Sequence, residues 1–386
     1  IVVMNKPSTD NTKPTKKHPQ RRRIVYIIAI IIALVGIGLA FYAHRNLTYD
    51  HDTQTKLQQS GFQEKQAKLP DGSVLNYGEG PANGPALVLL HGQQVSWEDY
   101  APVLPELAKR YHVYAIDYYG HGGSSKNPEK YSATAISTDI SWFIRQHIKQ
   151  PVVISGHSSG GLLASLITAD APDVVRGLII EDAPFFTTEK GRAESTFAWR
   201  SFKDMHDFLT SGQSNFTQYW LDHTYMQTLF NTKDPNAWDK IVKQPALQYM
   251  KQHPGKIPRI WYYPPELQVN TLFDLTANMQ DKTGEYDLRF GQTFYTFSWF
   301  KEFNQTATLK RITKPSILLH VAPAQSGSYY DEHGILASAM DDKDAQRVHE
   351  LLGPKNKLID NIKSSHDIHK DQPKVFIEAI DEIARH

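Results

Sequence analysis

The chain of 386 residues contains no cysteine. That excludes disulfide staples, thiolate nucleophiles, cysteine–zinc sites and a cysteine-linked lipid anchor. A dominant charge of one sign is missing too, since 42 lysines and arginines face 41 aspartates and glutamates. Seven of those bases (Lys6, Lys13, Lys16, Lys17, Arg21, Arg22, Arg23) lie before residue 24, against one acid, Asp10. The remaining body, with 35 bases and 40 acids, has no basic field to hold a nucleic-acid backbone, so no nucleic-acid partner is expected. Glycine-rich phosphate loops, internal repeats and low-complexity tracts are absent, and no cofactor is expected.

Charge is wholly lacking in IVYIIAIIIALVGIGLAFYA, the twenty residues from Ile24 to Ala43. As a helix this run spans about 30 Å, the hydrocarbon thickness of a bilayer. It exceeds a secretory h-region of ~7–15 residues, and Phe41 stands where the first small residue of a cleavage site would fall. The run therefore reads as a single-pass membrane anchor. Lysine and arginine are retained on the cytoplasmic side, so residues 1–23 form a cytoplasmic tail and the main body faces outward. Residues 44–60, HRNLTYDHDTQTKLQQS, read as a polar linker.

From Phe62 onward the pattern is different. FQEKQAKLPDGSVLNYGEG alternates around Pro70-Asp71-Gly72 and predicts a hairpin. Short apolar runs then alternate with helical periods: PALVLLHG, HVYAID, PVVISGHS, VRGLIIED, KPSILLHVA and NKLIDNI. Such alternation predicts buried, mostly parallel strands with crossover helices on both faces, an α/β architecture. The pattern breaks over 184–309, which holds 25 of the 43 aromatic residues. That stretch is too long for a loop and reads as an inserted, mostly helical cap between core segments 61–183 and 310–386.

Between one apolar run and the next helical period stands GHSSG: Gly156, His157, Ser158, Ser159, Gly160. A serine on a sharp strand-to-helix turn is held clear of the sheet in a strained conformation. Glycines two residues to either side remove the resulting collisions, and the helix that follows aims its amide hydrogens at the same spot. This G-x-S-x-G turn is joined by LLHG (Leu89–Gly92), by DYYGHGGS (Asp117–Ser124) and by SSHDIHKDQPKVF near the end. In that order the four motifs resemble the α/β-hydrolase family of serine hydrolases with a cap domain, over residues 62–386 apart from the cap.

The resemblance implies Ser158 as nucleophile, His366 as its base, and an oxyanion hole made by the backbone amides of Ser159 and Gln93, with Gly92 letting the chain approach a ligand. Asp117 reads as a brace for the loop of Gly120, Gly122 and Gly123, and His91 as packing. The chain departs from the family at the acid. Most relatives place an aspartate just after the strand written here SILLH, where this chain has Val321, Ala322 and Pro323. Asp182, ending GLIIED, stands in the position that the pancreatic-lipase branch uses, with Asp331 and Glu181 as alternatives. Asp367 and His369 stand close enough to His366 to suggest metal binding, but no further clustered ligand is evident, and no metal is expected.

A serine at the elbow argues against epoxide hydrolase and dehalogenase chemistry, whose relatives carry aspartate there. The expectation is a membrane-anchored serine hydrolase acting on a small acyl substrate, a carboxylic ester first. Amidase, peptidase or C–C hydrolase activity on the same residues, or a catalytically inactive surface binding protein, are the rivals.

Overall fold

A computed structural model describes residues 19–386; the expected basic tail lies outside them except for residues 19–23. Eight strands form one mixed sheet: β1 (Gln63–Lys68), β2 (Val74–Glu79), β3 (Ala86–Leu90), β4 (His112–Asp117), β5 (Val152–His157), β6 (Val175–Glu181), β7 (Ser316–Val321) and β8 (Asn356–Ile362). Their order is β1-β2-β4-β3-β5-β6-β7-β8. The amino-terminal hairpin and the β2–β4 pair are antiparallel, and the remaining five pairings are parallel. Every strand expected from the apolar runs is present.

The two-residue strand period divides each apolar run between two faces. Val88 and Leu90 of β3 belong to one core layer with Ile140, Leu162, Leu166 and Val348, from helices Ala133–Phe143, Ser159–Asp170 and Asp342–Leu352. Leu87 and Leu89 point the other way, against Leu104, Leu107, Phe376 and Ile380. Both faces are thus covered, which is why β3, β5 and β7 are buried along their whole length.

Between β6 and β7 the chain makes six cap helices: Phe197–Ser211, Phe216–His223, Met226–Phe230, Gln244–Gln252, Val269–Asn278 and Leu288–Tyr295. Many of its aromatics fill the cap's own interior, as Trp220 does against Trp238 at 5.2 Å and Phe294 against Trp299 at 4.7 Å.

Two boundaries differ from the sequence reading. Helix Gln305–Arg311 straddles the expected end of the cap at Leu309 but packs between two core helices. Its first side chain reaches back, with Gln305 Oε1 accepting from the Phe186 amide at 2.6 Å. The core therefore resumes near Asn304. The linker 44–60 is largely helical: the long helix Pro19–Thr48 runs past Ala43, and His51–Gln59 follows. The second helix shows no amphipathic period because a single apolar side chain, Leu57, seats it on the body.

Candidate active site

The carboxyl ends of β3, β5, β6 and β7 meet at one edge of the sheet, and the chain turns most sharply at the end of β5. Ser158 has φ 54° and ψ −124°, a strained conformation for a residue with a side chain. The turn is affordable only because its neighbours lack Cβ atoms. A Cβ on Gly156 would lie 2.1 Å from the Gly160 carbonyl oxygen, and one on Gly160 would lie 2.2 Å from that of Leu90. The Ser159–Asp170 helix starts directly after this turn.

The Ser159 and Gln93 amides are both unspent on other groups of the described residues. Gln93, Ser158 and Ser159 line the same cavity. The loop bearing Gln93 is held from two sides. Gln94 takes φ 72°, and its carbonyl accepts from Asn278 Nδ2 at 3.1 Å. Tyr286 Oη donates to Gln93 Oε1 at 2.7 Å. Both donors come from the cap, so the cap clamps this loop. Below it, Asp117 accepts from the Trp97 amide at 2.6 Å and the Gly123 amide at 3.1 Å, and His91 Nδ1 lies 2.7 Å from the Gly92 carbonyl.

His366 sits after β8, partly exposed in the cavity, and its Nδ1 donates to Asp182 Oδ2 at 2.7 Å. That contact commits Nδ1 as the donor and leaves Nε2 free to accept a proton. Among the described residues no hydrogen bond joins the Ser158 hydroxyl to the His366 ring, although both line the cavity. Asp182 is fully buried, with φ 42°, and its amide is held by the Leu319 carbonyl at 2.9 Å. Burial raises its pKa, but hydrogen bonds from His320 and His366 outweigh that and hold it at about 2. The His366 ring is moved upward: burial disfavours its cation, and the Asp182 contact favours it more.

Neither alternative acid meets His366. Asp331 lies on the loop after β7, where it accepts from Tyr225 Oη at 2.6 Å and from the amides of His333 and Ile335. Glu181 is buried on the far side and accepts from the amide and Nδ1 of His369, at 2.7 and 2.8 Å. The reason is the strand alternation: consecutive residues Glu181 and Asp182 leave β6 toward opposite faces.

His320 was not singled out from the sequence. It is the penultimate residue of β7, at the end of SILLH near the point where the family's acid was missing, and is wholly buried. Its Nδ1 lies 3.4 Å from Asp182 Oδ1 and its Nε2 3.1 Å from Asp342 Oδ1. Asp182 thus joins two imidazoles. The signal was available: a histidine within an otherwise apolar buried strand needs a polar partner.

His369 and Asp367 do gather with other possible ligands, but with Asp99 and His157 rather than His366. His157 Nε2 donates to the His366 carbonyl at 3.0 Å, and His369 Nε2 contacts the Asp99 carbonyl at 3.2 Å. Burial lowers the pKa of His369, yet Glu181 and Asp99 push it up to about 10. Lys370 Nζ also lies 2.5 Å from Asp99 Oδ1. The contacts of this cluster run from the Asp99 loop to the His366 loop.

The cavity measures about 820 Å³. Cap side chains including Phe197, Trp199, Phe202, Trp220, Leu272 and Phe294 form much of its wall. Three of its carboxylates are raised, since burial lifts Glu98 and Glu285, and burial with neighbouring Asp207 pushes Asp204 up to about 7; Asp99 and Asp367, beside His369, His157 and Lys370, are lowered despite their burial.

Comparison with known proteins agrees with this architecture. The profile described as "Alpha/beta hydrolase family" matches residues 87–379. A magnesium-chelatase 30 kDa subunit from Rhodobacter capsulatus is 37% identical over 95 residues, 24% of this chain and 33% of that protein. A pimeloyl-[acyl-carrier protein] methyl ester esterase from Aliivibrio salmonicida is 30% identical over 189 residues, 47% of this chain and 66% of that protein. The chain thus spans between a third and two thirds of the length of these relatives. Among solved structures, a membrane phospholipase A superposes with a TM-score of 0.55 at 17% identity, covering 95% of this chain and all of that one.

Proposed function

The chain belongs to the alpha/beta hydrolase family, and within it we propose a serine hydrolase that cleaves carboxylic esters through an acyl-enzyme on Ser158. The observation that carries this reading is the 2.7 Å contact between His366 Nδ1 and buried Asp182, at a cavity that Ser158 also lines. As Ser158 Oγ attacks the acyl carbonyl, His366 Nε2 takes its proton, and Asp182 stabilises the imidazolium that forms. The amides of Ser159 and Gln93 bind the oxyanion. Collapse expels the alcohol, which takes the proton back from His366, and water repeats the sequence to release the acid. This proton transfer requires the Ser158 hydroxyl and His366 Nε2, which line the same cavity, to come within hydrogen-bond reach when substrate binds.

The apolar wall favours an uncharged acyl group, and the wall carboxylates disfavour an anionic one. The uncharged Ile24–Ala43 run, none of whose residues is buried, supports a single membrane span with the basic tail in the cytoplasm and the catalytic body outside the cell membrane.

The full chain in detergent should hydrolyse a series of 4-nitrophenyl esters with a maximum at one acyl length. No turnover of any ester, with amides or C–C substrates cleaved instead, rejects ester hydrolysis; no turnover of anything leaves a binding protein. His366 works only when neutral, and its contact with Asp182 extends the cationic range upward. The kcat/KM profile should therefore rise with pH and reach half its plateau above 6.5, the ordinary histidine value. A half-point below 6.5 contradicts the pairing. Asp331→Asn should leave kcat within about twofold of wild type, since its partners lie in the cap and its own loop. A large loss would return the acid's role to Asp331.

A further inference from the structure

The cap carries a group of exposed apolar side chains beside the end of the Ile24–Ala43 run. Trp261 is 47% exposed, Tyr262 43%, Leu267 58% and Ile241 42%. The group is held in register with the helix by hydrogen bonds. Tyr42, the penultimate residue of the uncharged run, donates to the Tyr262 carbonyl at 3.2 Å, and Asn46 Nδ2 donates to that of Trp261 at 2.7 Å. Arg45 pairs with Glu266. Arg259 donates to the Leu47 carbonyl, to both oxygens of Asp50 and to Asp274 Oδ2, each within 3.0 Å. Tyr263 Oη donates to the Ile241 carbonyl, which brings that residue to the same segment.

These contacts fix a depth. When Ile24–Ala43 spans the bilayer, Tyr42 sits at the outer edge of the hydrocarbon, and the rings of Trp261 and Tyr262 stand level with it. Tryptophan and tyrosine prefer that layer, because the ring leaves water while its polar atom stays hydrated. Leu267 and Ile241 extend the same apolar surface. Their continuity with the anchor identifies the occupant as the lipid surface. The cap helix Val269–Asn278 starts two residues after Leu267 and supplies Thr271, Leu272, Asp274 and Leu275 to the cavity wall. Asp274 is also bonded to Tyr49 and Arg259 at the foot of the anchor. One short helix thus joins the apolar group to the cavity that holds Ser158.

We propose that Trp261, Tyr262, Leu267 and Ile241 form a second membrane contact that seats the cap in the outer lipid interface, and that the substrate is an acyl lipid taken from that bilayer. The inference rests on the serine-hydrolase and anchor readings, and it deepens them by naming the substrate's class and source.

The test reconstitutes the full chain in phosphatidylcholine vesicles, as wild type and as the Trp261→Ser, Tyr262→Ser, Leu267→Ser triple variant. A fluorogenic phospholipid in the same vesicles reports lipid hydrolysis, and 4-nitrophenyl butyrate in water reports the chemistry alone. None of the three residues lines the cavity. The triple variant should lose about tenfold or more on the phospholipid and change by less than about twofold on the soluble ester. Equal loss on both substrates, or loss on neither, overturns the proposal.

A second measurement is independent of catalysis. Tryptophan quenching by brominated phosphatidylcholine should be stronger in wild type than in Trp261→Phe. Identical quenching overturns the membrane contact even if the enzyme is active, and self-association lost in the triple variant would then assign the surface to a second copy. If wild type cleaves neither substrate while the quenching difference persists, the serine-hydrolase reading fails and the membrane contact stands. Release of wild type from vesicles by alkaline carbonate defeats the anchor and the contact together.

Discussion

Ser158→Ala should lower kcat for ester hydrolysis by on the order of 10⁴-fold or more while leaving the melting temperature at that of wild type. The size follows from what is removed: the hydroxyl of Ser158 stands on a strained turn at the head of a helix, in the cavity that Ser159 and Gln93 also line. The unchanged stability follows from what the side chain does not do. With φ at 54°, the serine occupies its turn because β5 and the Ser159–Asp170 helix force it there, and alanine loses no buried hydrogen bond of the described residues. Residual turnover near the wild-type level would assign the chemistry to another residue.

Asp182→Asn should cost about 10³–10⁴-fold in kcat with the fold intact. The amide keeps the shape of the carboxylate but cannot stabilise the His366 cation. It also presents an NH₂ group where His366 Nδ1 and His320 Nδ1 each expect an acceptor, so at least one imidazole has to change its protonated nitrogen. Two consequences separate this from general damage. The pH half-point of the remaining activity should move downward, because the contact that raises His366 is gone. Glu181→Gln, which breaks the His369 network one residue away, should instead lower stability more than turnover at saturating substrate. A small effect of Asp182→Asn, with the pH profile unmoved, would leave His366 without an orienting acid and favour a binding protein.

Much of this arrangement was legible because strand alternation and turn sterics are local. The apolar runs expose their two-residue period, and GHSSG states its own geometry, since only glycine fits beside the Gly160 and Leu90 carbonyls. The choice of Asp182 over Glu181 for His366 was harder, because it depends on which face each residue leaves β6 by, a matter of register. His320 went unread for a different reason: its partners, Asp182 and Asp342, lie 138 and 22 residues away, and no local pattern marks such a pairing. The helical nature of 44–60 was also hidden, since polar contacts with Arg259, Asp274 and Trp261 hold it rather than an apolar stripe.

The most direct test is to find where a covalent probe lands. Wild-type protein treated with one equivalent of a fluorophosphonate, digested and sequenced by tandem mass spectrometry, should carry a single adduct on Ser158. The rate of that labelling should climb with pH in step with turnover and collapse in His366→Ala. An adduct on any other residue, or labelling of Ser158 indifferent to the loss of His366, would contradict the relay.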